Sequence, residues 1–130
     1  MSDIFTSNMN PLYSYRARAA SVHGIYDGDT LRLDIDLGFS IVHQNISIRL
    51  WGINTPEVRG SDEEKSKGLA AREFLRNLLF EKDGLAKELT LYTVKDSKGK
   101  YGRYLGILVL DSVIVNQLLV EEGHAQLYLV

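Results

Sequence analysis

Two carboxylates and two arginines stand where the chain can aim them. Asp29 follows the turn signal Asp27-Gly28 in Tyr26-Asp-Gly-Asp-Thr30, so it opens a strand and its carboxylate lies at the rim of a sheet. Hard cations such as Ca²⁺ take oxygen ligands of this kind, although acidic hairpin turns are also common without any ligand. Glu57 ends the stretch Arg49-Leu-Trp-Gly-Ile-Asn-Thr-Pro-Glu57. Pro56 restricts Thr55 to extended backbone and makes a rigid corner, which fixes the direction of Glu57. A positioned carboxylate is what general-base chemistry requires. Arg49 shares parity with Ser47 and Trp51, opposite Ile46, Ile48 and Leu50. Pointing inward it needs a partner or a ligand; pointing outward it is a solvated arginine. Asn54 is a neutral amide where a metal-dependent site would more naturally carry a carboxylate.

The fourth group is Arg103, at the end of Lys95-Asp-Ser-Lys-Gly-Lys-Tyr-Gly-Arg103, where four basic residues fall in nine positions. Gly99 and Gly102 let backbone approach a ligand, Tyr101 offers a ring face, and Arg103 can grip a phosphate through two donors. A solvated lysine loop has the same composition. Asp34 and Asp36 occupy the polar parity of an alternating strand and read as solvated. Asp62, Glu63 and Glu64 form a charge run ahead of a helix, where they favour the positive end of its dipole. His23, His43 and His124 have no ligand spacing and read as structural or surface residues.

These groups need elements to hold them. Thr30 to Leu37 alternates, with Leu31, Leu33, Ile35 and Leu37 on one face. Gly38 turns the chain into a second β run from Ser40 to Trp51. From Lys67 to Phe80 the period becomes helical, with Ala71, Phe74, Leu75, Leu78 and Leu79 on one side and Gly84 beyond the end. Leu85 to Val94 and Arg103 to Leu110 read as strands. Val113 to Gly123 begins extended and becomes a short helix. Residues 1–12 are polar, broken by Asn10-Pro11, and read as a flexible N-terminal arm ahead of a domain over 13–130. With the mixed, β-tolerant stretch from Tyr13 to Tyr26 counted first, three strands, a helix, two strands and a short helix define an α+β, mainly β chain. That order suits a small closed barrel of the OB type, with an open α+β sheet as the alternative.

At 130 residues, 45% hydrophobic and 25% charged, the chain is one domain with a single core. A formal net charge of -2 excludes a global positive field, so any nucleic-acid site must be a local basic patch. The absence of cysteine excludes disulfides and thiolate metal sites. The first residues lack the basic start and apolar run of a signal peptide, and no apolar run spans a bilayer. The expectation is a monomer in the cytoplasm, or in the host-cell cytoplasm if the protein is viral.

Taken in order, Asp27-Gly-Asp-Thr30, Arg49, Gly52-Ile-Asn-Thr-Pro-Glu57, Lys100-Tyr-Gly-Arg103, Val115-Asn116 and Gly123-His-Ala125 resemble the staphylococcal nuclease (thermonuclease) family over about residues 20–130. The resemblance implies a five-stranded OB barrel with one helix after the third strand and a short C-terminal helix. It implies a Ca²⁺-dependent, largely sequence-nonspecific phosphodiesterase acting on DNA and RNA, with Mg²⁺ or Mn²⁺ as other candidate metals. By position, Asp29, Asn54 and the Thr55 carbonyl correspond to metal ligands. Glu57 corresponds to the group that activates the attacking water, and Arg49 and Arg103 to the phosphate-gripping arginines. Lys100, Tyr101 and Tyr128 correspond to nucleotide contacts. The expected cut is at P–O5′, leaving a 3′-phosphate. A catalytically weak or inactive OB-fold module that binds nucleic acid or protein is the alternative.

Overall fold

The computed structural model describes residues 2–98 and 103–129. Five long strands close into a ring: β1 (Ser14–Ala19), β6 (Leu89–Lys98), β7 (Tyr104–Leu110), β4 (Ile41–Leu50) and β3 (Thr30–Gly38), with β3 returning to β1. Each pairing is antiparallel except β4 with β7. Closure removes the open edges that a flat sheet would expose, and it decides for the OB-type barrel over the open sheet. Short β2 (Ile25–Asp27) pairs with β3, and β5 (Ile53–Asn54) pairs with β9 (Gln126–Leu127) outside the ring.

Alternation explains the interior. Leu31, Leu33, Ile48 and Leu50 are fully buried, joined by Leu91 from β6 and Ile107 from β7. Leu37 departs from the expected inward face and is 47% exposed, because the β3–β4 hairpin runs past the barrel. Its turn is made by Phe39 and Ser40, both with positive φ (55° and 63°), rather than by Gly38 alone. Two left-handed residues give the twist that a two-residue hairpin loop needs.

Helix α2 (Asp62–Leu79) begins five residues before the apolar period does. Ser61 caps it by accepting from the Glu64 N–H at 3.3 Å, so the acidic run lies inside the first turn instead of ahead of it. Ala71, Leu75 and Leu79 face the barrel. Arg76 Nη2 donates to the Ile25 carbonyl at 3.0 Å and ties the helix to β2. Burial, and next the Arg72 guanidinium, lowers the Arg76 pKa from its ordinary value, against the opposing effect of Glu73. Gly84 (φ 91°) lies in the turn from Glu81 to Leu85, and the following strand starts at Leu89 rather than Leu85. The expected loop from Lys95 is strand up to Lys98.

The N-terminal segment departs most from expectation. Residues expected to form a loose arm contain helix α1 (Ser2–Thr6), and Phe5 is fully buried. Its ring meets Trp51 edge-on at 5.9 Å, above the glycine gap at Gly52. Burying one such ring contributes about 1.5–3 kcal/mol, enough to draw a polar segment onto the core. At the other end, α3 (Val115–Glu121) follows β8 (Val113–Ile114) and is held by buried Asn116. Among the described residues no helix is long and apolar enough to cross a membrane.

Candidate active site

Asp29 lies where β3 begins, beside the end of β4, and its carbonyl accepts from the Leu50 N–H at 2.8 Å. Its side chain is nearly enclosed. Oδ1 accepts from the Thr30 hydroxyl at 3.2 Å, and Oδ2 accepts from the Thr55 N–H at 3.0 Å. Arg49 approaches the same carboxylate, with Nη2 3.6 Å from Oδ2. The register explains this meeting, since Thr30 pairs directly with Arg49 across β3 and β4.

The direction of Arg49, open in the sequence, is into the site. Nη1 donates to the Leu50 carbonyl at 3.1 Å, and Nη2 donates to the Ile53 carbonyl at 3.0 Å and to Asn54 Oδ1 at 3.1 Å. These bonds take three of the five guanidinium N–H groups and leave two for a ligand. Tyr128 covers the guanidinium from the far side, its ring centroid 5.8 Å from Cζ. The β5–β9 pairing and a Tyr128 N–H bond to the Gly52 carbonyl (2.7 Å) keep the ring there.

Arg103 joins from the residue just ahead of β7, donating through Nη1 to the Thr30 hydroxyl at 3.3 Å. Thr30 therefore links Asp29 to Arg103, a role the sequence reading did not assign although the residue stands inside the Asp-Gly-Asp-Thr motif. Glu57 is exposed and shares with Thr30 and Arg103 the wall of an open cleft of about 720 Å³. Asp29, Arg49, Asn54, Thr55 and Tyr128 thus form one cluster, and Arg103 and Glu57 border it across Thr30. Lys100 and Tyr101 lie outside the described residues.

Two glycines let the Thr55–Glu57 corner sit close to the helix. A Cβ on Gly68 would come within 2.7 Å of the Glu57 carbonyl carbon and 2.8 Å of the Pro56 oxygen. One on Gly28 would lie 2.8 Å from Ala71 Cβ and 3.0 Å from Thr55 Cγ2. Gly28 is not among the residues with positive φ, so close packing, not turn geometry, requires a glycine there. Asp27 is tied to the same corner, its Oδ1 accepting from the Val58 N–H at 3.4 Å. Gly68→Ala should push α2 off the corner and destabilise the fold by about 1–3 kcal/mol, measured by chemical denaturation.

The side-chain groups gathered at Asp29 that could ligate a metal are oxygens: its own carboxylate and the Asn54 amide oxygen, which shares Arg49 Nη2 with it. The buried Thr55 hydroxyl has no hydrogen-bond partner among the described residues and adds an orphaned oxygen to the set. Such a set suits a hard cation and excludes a soft one. It carries one formal negative charge, and among the described residues no three His, Cys, Asp or Glu side chains gather as metal ligands.

A family model described as Staphylococcal nuclease homologue matches residues 47–130, a stretch that contains Arg49, Glu57 and Arg103. A thermonuclease of Staphylococcus intermedius is 30% identical over 112 residues, 85% of this chain. The chain spans 60% of the length of that relative.

Proposed function

Because the chain belongs to the staphylococcal nuclease homologue family, we propose that it is a metal-dependent, largely sequence-nonspecific nuclease that hydrolyses phosphodiester bonds of DNA or RNA. The observation that carries this reading is the continuous path Arg49–Asp29–Thr30–Arg103, with Glu57 on the cleft wall beside it. A phosphodiester is anionic and repels a nucleophile. Catalysis therefore needs fixed positive charge and an oriented water.

The remaining Arg49 donors and the Arg103 guanidinium supply hydrogen bonds to the non-bridging oxygens, and these strengthen as charge builds in the transition state. Glu57 accepts a proton from the attacking water. The water oxygen bonds to phosphorus, the P–O5′ bond breaks, and the departing O5′ takes a proton from solvent, leaving a 3′-phosphate and a 5′-hydroxyl. Asp29, Asn54 and the Thr55 carbonyl would hold a Ca²⁺ ion. When bound, that ion supplies further positive charge against the phosphate.

Asn54 favours a second reading, a weakly catalytic module that binds nucleic acid, because its amide oxygen accepts from Arg49 and adds no negative charge. Digestion of single-stranded DNA separates the two. Cleavage with millimolar Ca²⁺, 3′-phosphate ends and loss of cleavage in EDTA are the expected results. No cleavage with Ca²⁺, Mg²⁺ or Mn²⁺ would overturn the nuclease reading. Asn54→Asp should tighten Ca²⁺ binding by about an order of magnitude, read by calorimetry, since ligand charge tunes such sites. An unchanged affinity removes Asn54 from the metal shell.

A further inference from the structure

The cleft does not end at Glu57 and Arg103. It continues along the outer face of the β3–β4 hairpin, past Tyr26, Arg32, Ser47, Asn45 and His43. Register makes this a direct extension of the candidate site. Thr30 pairs with Arg49, and the next pair on the same face is Arg32 with Ser47, about 6.6 Å further along the strands.

Arg32 and Tyr26 form a prearranged unit on that face. Arg32 Nε donates to the Tyr26 hydroxyl at 3.1 Å, and Nη1 donates to the Asn45 carbonyl at 2.7 Å. The guanidinium carbon lies 5.9 Å from the Tyr26 ring centroid. The backbone acceptor is available because Asn45 adopts a positive φ of 60° at an irregularity in the β3–β4 pairing, where its N–H is held by Asp34 Oδ1 at 2.9 Å. Tyr26 stays 46% exposed, so part of its ring is offered to solvent beside a half-buried guanidinium whose Nη2 makes no hydrogen bond among the described residues. Neither group has to be ordered when a ligand arrives.

A flat ring beside an oriented cation, repeated one strand step from a phosphate-gripping pair, matches the repeat of a polynucleotide. Among the described residues that line this cleft the charged side chains are Arg32, Arg103 and Glu57, and Asp34 lies behind it on the Asn45 N–H. The ring needs a base that is not stacked on its neighbours, which selects a single strand over a duplex. We propose that the β3–β4 face is an extended subsite for single-stranded nucleic acid, where a base one nucleotide beyond the pair that flanks the scissile phosphodiester stacks on Tyr26 and the adjoining phosphate bonds to Arg32. The inference rests on the nuclease reading only for where the cut falls.

The test measures binding by fluorescence anisotropy in a Glu57→Gln background with Ca²⁺, so that probes stay intact. Labelled thymidine oligonucleotides of two nucleotides and of about eight, within the range one OB fold covers, are compared. Tyr26→Leu and Arg32→Gln should weaken the longer probe roughly 5- to 100-fold and leave the dinucleotide within about twofold. Tyr26→Phe, which keeps the ring but removes the acceptor of Arg32 Nε, should weaken the longer probe less than Tyr26→Leu does, and a duplex of equal length should not respond to Tyr26→Leu. Circular dichroism melting verifies that each variant is folded. Equal losses on both lengths, no loss on the longer probe, a duplex response equal to the single-strand response, or no binding by the parent would each overturn the proposal. A wild-type protein that cleaves nothing but retains the length-dependent Tyr26 effect would remove the nuclease reading and leave this subsite standing.

Discussion

Glu57→Gln is expected to lower the turnover of single-stranded DNA by about 10²- to 10⁴-fold while leaving the melting temperature unchanged. The two halves of that result come from different parts of the structure. Glutamine keeps the size of the side chain and removes its ability to take a proton. The side chain is exposed on the cleft wall. Among the described residues both hydrogen bonds of residue 57 are made by its backbone, the N–H to Glu64 Oε1 and the carbonyl from the Gly60 N–H, so the substitution leaves them intact. Surface changes of this kind usually stay within about 0.5 kcal/mol. Steady-state cleavage assays with a melting curve on the same preparation provide the measurement. Equal turnover by both proteins would remove Glu57 as the base. A drop in turnover matched by a drop in melting temperature would assign the loss to folding.

Asn116→Ala is expected to do the reverse. Asn116 is fully buried, and its Oδ1 accepts from the Leu108 N–H at 3.0 Å. Its Nδ2 donates to the carbonyls of Trp51 at 2.9 Å and Gly106 at 3.1 Å. One amide therefore joins α3 to β7 and to the residue that follows β4. Alanine would leave a buried N–H without its partner, and each such group costs about 1–3 kcal/mol. With the cavity added, a loss of about 3–5 kcal/mol follows. Denaturant unfolding reads the stability, and cleavage per folded molecule should stay near the wild-type value. A loss below about 1 kcal/mol would mean that water replaces the amide.

Both expectations depend on residues visible in the sequence, for different reasons. Glu57 was legible because Pro56 constrains the chain locally, and a local constraint is written in adjacent residues. Asn116 was legible only through a resemblance. Its three partners lie eight, ten and 65 positions away, and nothing in Val115-Asn116 itself announces them. The start of α2 lies between these cases. The capping pair Ser61 and Glu64 stands in the sequence, but the first turns face solvent, so the apolar period locates only the later part of the helix.

Period and local chemistry were enough for the β3 and β4 interior, the buried face of α2, and the order of Asp29, Arg49, Glu57 and Arg103 along the chain. They were enough because side-chain alternation, helical spacing and turn residues act over a few positions. Ring closure, the inward turn of Arg49, the Thr30 bridge from Asp29 to Arg103, and the burial of Phe5 had to wait for the tertiary structure. Each depends on which distant segment lies opposite. Gly28 marks the boundary most clearly: the sequence offers it as a turn residue, whereas the fold needs it because Ala71 and Thr55 leave no room for a Cβ.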